Sequence, residues 1–280
     1  MKIVIIGSDG QLGTDLLKCR EDLIGLTIKN IDITNYDQSN DVLAKISPDV
    51  VINTAAYNQV DMAEDNSDQA FLVNETGAKN LAIICKEISA SLVHVSTDYV
   101  FSGDKKGAYV ESDEPSPQSI YGKSKLAGEK AVQSLISNYF IVRTSGLYGV
   151  AGCMGKGGGN FVENIIKKAK DNQQLKIVDD EIVSTTYSKD LALKIFEILD
   201  KQEFGLYHVA NNGSCSWYDF AEKIFGLLKL KVNLTRTNSS QFKSKAKRPK
   251  FSVLQSERLQ PMRPWQEALE AYLREKGHIS

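Results

Sequence analysis

Residues 2–13 read Lys2-Ile3-Val4-Ile5-Ile6-Gly7-Ser8-Asp9-Gly10-Gln11-Leu12-Gly13, and this stretch decides the fold. The apolar run Ile3–Ile6 does not alternate with polar residues. It therefore reads as a strand buried on both faces, the pattern of a parallel sheet covered by helices. The turn after it has glycines at 7, 10 and 13 and enters a stretch of helical spacing over Gln11–Arg20. In a phosphate-binding turn the glycines have separate tasks: a tight bend, close backbone approach to a pyrophosphate, and packing of the helix on the sheet. The helix N-terminus offers open N–H groups and a positive dipole end to the anion. The spacing is G-x-x-G-x-x-G rather than G-x-G-x-x-G, and purely structural glycines would give the same letters. Its place directly after a buried strand favours dinucleotide binding, with Gly7, Asp9, Gly10, Gln11, Leu12 and Gly13 as the contact residues.

Working outward, Asp49–Asn53, Ser91–Ser96 and Phe140–Arg143 repeat the buried-strand pattern of Lys2–Ile6. Gln11–Arg20, Asp61–Ser89 and Ser119–Ser137 carry helical spacing, and in the last Ala127, Ala131 and Leu135 recur on one face. This alternation predicts an α/β chain with a Rossmann-like, doubly wound parallel sheet. The rhythm changes after Tyr148. Glycine-rich Gly149–Gly159 leads to a helix over residues 160–170, then a strand–helix–strand stretch with Ser188–Asp200 helical and Gly205–Ala210 extended. Trp217–Leu228 and Trp265–Glu275 read as further helices. We expect a dinucleotide-binding domain over residues 1–148, to which 184–212 returns, and a smaller substrate-binding lobe from 149–183 and 213–280.

The 34 Lys plus Arg nearly cancel the 35 Asp plus Glu, leaving a net charge of −1. No global field favours nucleic acid or an anionic membrane as partner. The cysteines at 19, 85, 153 and 215 form no CxxC pair, so the sequence predicts reduced thiols and no metal site. The N-terminus enters a strand at once, without the apolar core of a signal peptide, and no apolar run is long enough to span a bilayer. These features predict a cytoplasmic protein. They are compatible with a homodimer and do not fix an oligomeric state.

Tyr-x-x-x-Lys occurs twice, at Tyr121/Lys125 and Tyr272/Lys276. By composition one such pair is expected by chance, so context must separate them. The second lies in a charged C-terminal helix near no other motif. Tyr121 follows the turn residues Glu114-Pro115-Ser116-Pro117, and Lys125 is one helical turn further along the same face. Upstream, the strand ending at Ser96-Thr97-Asp98 places Thr97 at a carboxyl edge, where parallel sheets hold ligands. Thr97 is thus read as a hydrogen-bond donor to a carbonyl oxygen that Tyr121 protonates. A free tyrosine titrates near 10, and a nearby ammonium favours its ionised form. Lys125 is read in that role, and as a holder of the nicotinamide ribose. For the adenosine ribose, Asp32 (with Ile33 beside it) is placed by distance to accept from a 2′-hydroxyl. Lys29, nearer the end of the second strand, would instead meet a 2′-phosphate. Cofactor choice between NAD(H) and NADP(H) stays open.

Thr97, Tyr121 and Lys125 together resemble the catalytic set of the extended short-chain dehydrogenase/reductase superfamily. The stretches GSDGQLG (7–13), DVVINTAAYNQVD (49–61), VHVSTDYVFSG (93–103), YGKSKLAGEK (121–130) and GGGNFVENI (157–165) resemble the dTDP-4-dehydrorhamnose reductase family. KRPKFSVL (247–254) and PMRPWQEAL (261–269) extend the likeness toward the C-terminus. The resemblance implies hydride transfer from NAD(P)H to C4 of a dTDP-linked 4-keto-6-deoxysugar, yielding dTDP-L-rhamnose from the usual substrate. It implies cofactor contacts at Asn53, Ala55, Ala56, Tyr57 and Asn74, and substrate contacts at Thr97, Asp98, Tyr99, Phe101, Asn160, Trp217 and Arg248. Related dehydratases carry Asp-Glu after the catalytic threonine, whereas this chain reads Thr97-Asp98-Tyr99, which favours simple reduction. The rivals are a sugar-nucleotide epimerase and a non-catalytic subunit like the regulatory subunit of methionine adenosyltransferase.

Two departures concern the sugar pocket. The family commonly has Trp where Gly146 stands, and Gly-x-Pro-Thr where this chain reads Val183-Ser184-Thr185-Thr186. Loss of an aromatic platform to glycine would enlarge the pocket and leave the sugar's identity open. Among weaker signals, the five basic residues within Phe242–Phe251 read either as a solvated loop or, through Arg248, as a diphosphate contact. Gly155–Gly159 is not a P-loop and reads as a flap over the cleft, with Asn160 capping the next helix. His94 reads as a packed strand residue, and Trp217 as core or pocket wall.

Overall fold

The computed structural model describes residues 1–152, 157–171 and 174–280. Its central sheet contains β1 (Ile3–Ile6), β2 (Ile24–Leu26), β3 (Val50–Asn53), β4 (Ser91–Thr97), β5 (Tyr139–Thr144) and β6 (Gly205–His208). The strands lie in the order β6-β5-β4-β3-β1-β2, and every neighbouring pair is parallel. The helices are α1 (Gln11–Cys19), α2 (Tyr36–Ile46), α3 (Gly77–Glu87), α4 (Ile120–Leu135), α5 (Phe161–Asp171), α6 (Ser188–Lys201), α7 (Trp217–Leu228) and α8 (Trp265–Glu275), with short turns between them.

Successive strand residues feed opposite cores, which is why the strands are continuously apolar. Val4, Ile6, Val51, Leu92 and Ile141 pack with Leu43 of α2, Leu81 and Ile84 of α3 and Val132 of α4. Ile3, Ile5, Ile52, Val93 and Val142 pack on the other face with Leu16 of α1 and Leu191 and Ile195 of α6. The chain runs from β1 to β2 at the sheet's edge and then to β3 on the other side of β1. That reversal leaves a crevice at the carboxyl ends of β1 and β3, the place where open α/β sheets bind ligands.

A third core joins Val162 and Ile165 of α5, Phe220 and Ile224 of α7, and Leu269 and Tyr272 of α8. Beside it lie a three-stranded sheet of Cys215–Ser216, Ile182–Val183 and Phe251–Ser252, and the pair Gln174–Val178 with Asn233–Thr237. The side chains of α6 belong to the central sheet's core, and β6 pairs with β5.

The structure departs from the sequence reading in three places. The single helix expected over Asp61–Ser89 is broken into Val60–Ala63, Ser67–Phe71, a π-helical turn at Leu72–Thr76, and α3. The π turn carries Asn74, whose amide binds partners outside the helix. The buried residues of α4 are Gly122, Ser124, Lys125, Gly128, Glu129 and Val132, while Ala127, Ala131 and Leu135 are half-buried beside them. Helix α2 was not foreseen, although Asn35 caps it by accepting the N–H of Gln38 at 3.1 Å, an Asn-x-x-Gln start signal. Cys153 and part of the expected flap at Gly155–Gly159 lie outside the described residues. No helix among the described residues is long and apolar enough to cross a membrane.

Candidate active site

A cleft of about 1010 Å³ opens at the carboxyl ends of the strands. Gly7 forms its floor with φ of +79°, and a Cβ there would lie 2.8 Å from Thr54 Oγ1 and 3.0 Å from the Ala55 nitrogen. Only glycine allows the turn after β1 to lie this close to the end of β3. Gly10 stands at the α1 N-cap and supplies no side-chain cap, so the first N–H groups of α1 remain available to an anion. Gln11 Oε1, Thr144 Oγ1 and Tyr148 Oη are buried without a hydrogen-bond partner, and all three residues line the cleft. Buried polar atoms of this kind need partners. The lining therefore fits a polar, phosphate-bearing ligand such as a dinucleotide.

The end of β4 and the start of α4 meet across this cleft. Ser119 caps α4 by accepting the Gly122 N–H at 3.1 Å. A Cβ on Gly122 would fall 2.2 Å from the Tyr99 carbonyl oxygen, and one on Gly128 would fall 2.1 Å from that of Asn74. The two glycines let α4 settle against neighbouring backbone. Tyr121 lines the cleft, with the ring of Tyr99 edge-on at 5.5 Å. Lys125 is 2% exposed; its Nζ donates to the Val95 carbonyl at 2.8 Å and lies 3.4 Å from His94 Nε2. Burial pushes its pKa down to about 8, against the opposing pull of the Glu129 carboxylate. Thr97 Oγ1 donates to Asp98 Oδ1 at 3.0 Å and accepts the Tyr99 N–H at 3.2 Å. Asp98 Oδ2 also accepts from Ser145 Oγ at 2.8 Å and Ser252 Oγ at 2.6 Å. Burial raises the Asp98 pKa despite these three hydroxyl donors.

Residues 1–277 match the family model described as RmlD substrate binding domain. The chain belongs to the dTDP-4-dehydrorhamnose reductase family. It is 38% identical over 286 residues to the spore coat polysaccharide biosynthesis protein SpsK of Bacillus subtilis, with 99% of this chain and 98% of SpsK covered. It is 36% identical to the dTDP-4-dehydrorhamnose reductase of Aggregatibacter actinomycetemcomitans, covering 96% of this chain and 97% of the relative. The crystal structure of the Bacillus anthracis dTDP-4-dehydrorhamnose reductase in complex with NADP superposes with a TM-score of 0.93. That pair shares 40% identity, with 98% of this chain and 100% of the other covered. Family membership makes the chain an oxidoreductase.

Within this family frame, the cleft gathers Gly7, Asp9, Gly10, Gln11, Leu12, Asp32, Ile33, Ala55, Ala56, Thr97, Asp98, Tyr99, Tyr121, Lys125, Asn160, Trp217 and Arg248. Five expected contact residues are not among its lining. Gly13 is buried behind the turn, where a Cβ would fall 2.3 Å from the Gly7 carbonyl oxygen. Asn53 faces His94 at the end of β3. The Asn74 amide accepts the Tyr57 N–H at 2.9 Å and donates to the Tyr57 carbonyl at 3.0 Å and Ser124 Oγ at 2.9 Å. It therefore ties the loop after β3, with Tyr57, to α4. Phe101 is fully buried, stacked on Tyr109 at 4.1 Å and beneath Arg143 at 5.1 Å.

Other side chains in the lining are already engaged. Asp32 Oδ1 accepts from the Thr34 backbone and hydroxyl, while Lys29 is exposed and outside the lining. Asn160 caps α5 through Glu163, as expected, and donates to the Gly149 carbonyl. Arg248 forks onto Asp61, with contacts of 2.7 and 3.2 Å. Asp61 is thereby held at about 2 although its own burial opposes the shift. Trp217 is both wall and core, since it lines the cleft and packs on Phe161 at 4.7 Å. The second Tyr–Lys pair lies behind the lining rather than in it: Tyr272 is fully buried, accepts from Asn160 at 3.2 Å and donates to Glu163, while Lys276 holds the Val150 carbonyl.

Sequence reasoning missed the Glu129–Arg143 pair, with side chains 1% and 3% exposed and a 2.6 Å contact. Ser96 also donates to Glu129. Nothing local marks it, because the two charges lie on α4 and β5 and meet only in the fold. The two departures from the family pattern prove to be neighbours. Gly146 has φ of +53°, a Cβ on it would lie 2.7 Å from the Ser184 carbonyl oxygen, and its own carbonyl accepts the Thr186 N–H at 3.2 Å. On the Cβ side of Gly146 the space is taken by the backbone of Ser184-Thr185, and Gly146 itself lines the cleft.

Proposed function

We propose that this protein reduces the C4 ketone of a nucleotide-linked 4-keto-6-deoxyhexose, with dTDP-4-dehydrorhamnose as substrate and dTDP-L-rhamnose as product. The single observation that carries the reading is the convergence of the Gly7–Leu12 turn, Thr97, Tyr121 and Lys125 on one cleft. The B. anthracis relative's complex with NADP supports a nicotinamide dinucleotide as cofactor, and the cleft suits NADPH or NADH. The reduced nicotinamide supplies the hydride.

The protein's own groups do the rest. The α1 N-terminus and the Gly7–Gly10 backbone bind the pyrophosphate. Tyr121 gives its phenolic proton to the oxygen at C4 as negative charge grows there. Lys125, protonated below a pKa of about 8, stabilises the phenolate left behind. The Thr97 hydroxyl, aimed by Asp98, turns from the carboxylate to the same oxygen when substrate enters. Arg248 has donors beyond those used on Asp61, and a planar guanidinium suits diphosphate oxygens.

The test is loss of reduced-nicotinamide absorbance with dTDP-4-dehydrorhamnose and either cofactor, in wild type and in Tyr121→Phe. The expected result is consumption by wild type and none by the variant, with cofactor affinity in the variant within about twofold of wild type, since the phenol does not hold the pyrophosphate. Equal turnover by the two proteins would remove Tyr121 from its role, and no consumption by wild type would remove the substrate.

A further inference from the structure

His94 has no part in this scheme, yet its surroundings are unusually constrained. It sits on β4 in register with Asn53 of β3 and Ile141 of β5, and both His94 and Asn53 are 1% exposed. Asn53 Oδ1 accepts the Ala55 N–H at 3.1 Å, which orients the amide. Its NH₂ end therefore faces His94 Nδ1, at 3.3 Å. On the ring's other side, Lys125 Nζ stands 3.4 Å from Nε2.

A neutral imidazole has one donor nitrogen and one acceptor nitrogen. When Lys125 is an amine, every group is satisfied: Asn53 donates to Nδ1, and Nε2–H donates to the amine lone pair. When Lys125 is an ammonium, Nε2 must accept, so the ring proton belongs on Nδ1, against the Asn53 NH₂. Protonation of Lys125 thus breaks a hydrogen bond on the far side of the ring. Such a loss is costly in a buried site.

We propose that His94, aimed by Asn53, is a positioning residue that biases Lys125 toward its neutral form, and that its ring changes tautomer as Lys125 gains or loses a proton. Above the midpoint the pair is Lys125 amine with His94 Nε2–H. Below it the pair is Lys125 ammonium with His94 Nδ1–H. One proton is taken from solvent and the ring's own proton count does not change. Burial and the Lys125 charge hold His94 well below the usual imidazole range, so the ring remains neutral throughout. The other groups that bear on this pair are few. Glu129, one turn along α4, favours the ammonium and is itself paired with Arg143 of β5. Tyr121 stands one turn before Lys125, while β3 and β5 present the uncharged Asn53 and Ile141 to His94.

The catalytic consequence rests on the reductase reading, but the tautomer change does not. The chain has three histidines, so ¹⁵N NMR of the histidine-labelled full-length protein resolves the rings, and His94→Gln assigns the signal. The expected result is a crossover from Nδ1–H to Nε2–H with a midpoint near pH 8, abolished in Lys125→Met. In Asn53→Leu the ring is free to keep its proton on Nδ1, so the midpoint and the matching limb of the kcat profile move to higher pH together. A single tautomer from roughly pH 6 to 10, or a crossover that survives in Lys125→Met, would overturn the proposal. The wild-type titration decides even where a variant does not fold. A crossover in a protein that turns over no keto-sugar would leave the proposal standing and remove the reductase reading.

Discussion

Thr97 illustrates how little of a side chain's task lies in its identity. Its hydroxyl has one proton, and in this structure that proton points to Asp98. Donation to a substrate oxygen therefore needs the hydroxyl to rotate, and Asp98 sets the angle from which it does so. Thr97→Val should lower kcat on the order of 10²-fold, the usual loss for one donor at a developing oxyanion, whereas Thr97→Ser should retain most activity. Steady-state rates decide, and an unimpaired valine variant would show that Thr97 only packs. Lys125 makes a second residue-scale prediction, about stability. Its pKa falls from 10.5 to about 8 on burial, so between these values the unfolded chain holds a proton that the folded chain does not. Stability then rises with pH across that window, and the full cost, on the order of 3 kcal/mol, is present below pH 8. Lys125→Met should accordingly melt at a higher temperature than wild type at pH 7, with the gap closing toward pH 10. Calorimetry at the two pH values checks this; a gap that is absent or widens with pH contradicts it.

At the scale of elements, the strands and the phosphate turn were legible because continuous β-branched runs and glycine spacing are local signals. Tyr121 and Lys125 were legible only in context, since Tyr272 and Lys276 have the same spacing. What could not be read depends on partners distant in sequence. The π turn at Leu72–Thr76 holds Asn74 where it bridges Tyr57 and Ser124, and the buried polar face of α4 exists because Arg143 meets Glu129. The packing of α4 has a direct test in Gly128. In an isolated helix Gly→Ala stabilises by about 1 kcal/mol. Here the added methyl meets the Asn74 carbonyl, and Gly128→Ala should instead destabilise by about 1–3 kcal/mol. Urea unfolding reads the sign, and a more stable alanine variant would mean that α4 sits further from the π turn.

At the scale of the whole molecule, the order of strands creates the crevice, and the turn after β1, the end of β4 and the start of α4 furnish it. The smaller core brings Trp217 to the same opening, where Arg248 meets Asp61 of the short helix after β3. Gly146, on this lining, has the Ser184-Thr185 backbone beside it, so the two departures noted in the sequence are neighbours in the fold. None of this alters the direction of the chemistry. In the proposed reaction a hydride from the cofactor arrives at C4 of the keto-sugar. The direct measurement is incubation with dTDP-4-dehydrorhamnose and a reduced nicotinamide carrying deuterium on one face of its C4, each face tried in turn. Mass spectrometry and NMR of the product then locate the label. The expected product carries one deuterium, bound to sugar C4, from one of the two labelled cofactors. A product with no label from either, or an unreduced product changed only in its configuration, would contradict it.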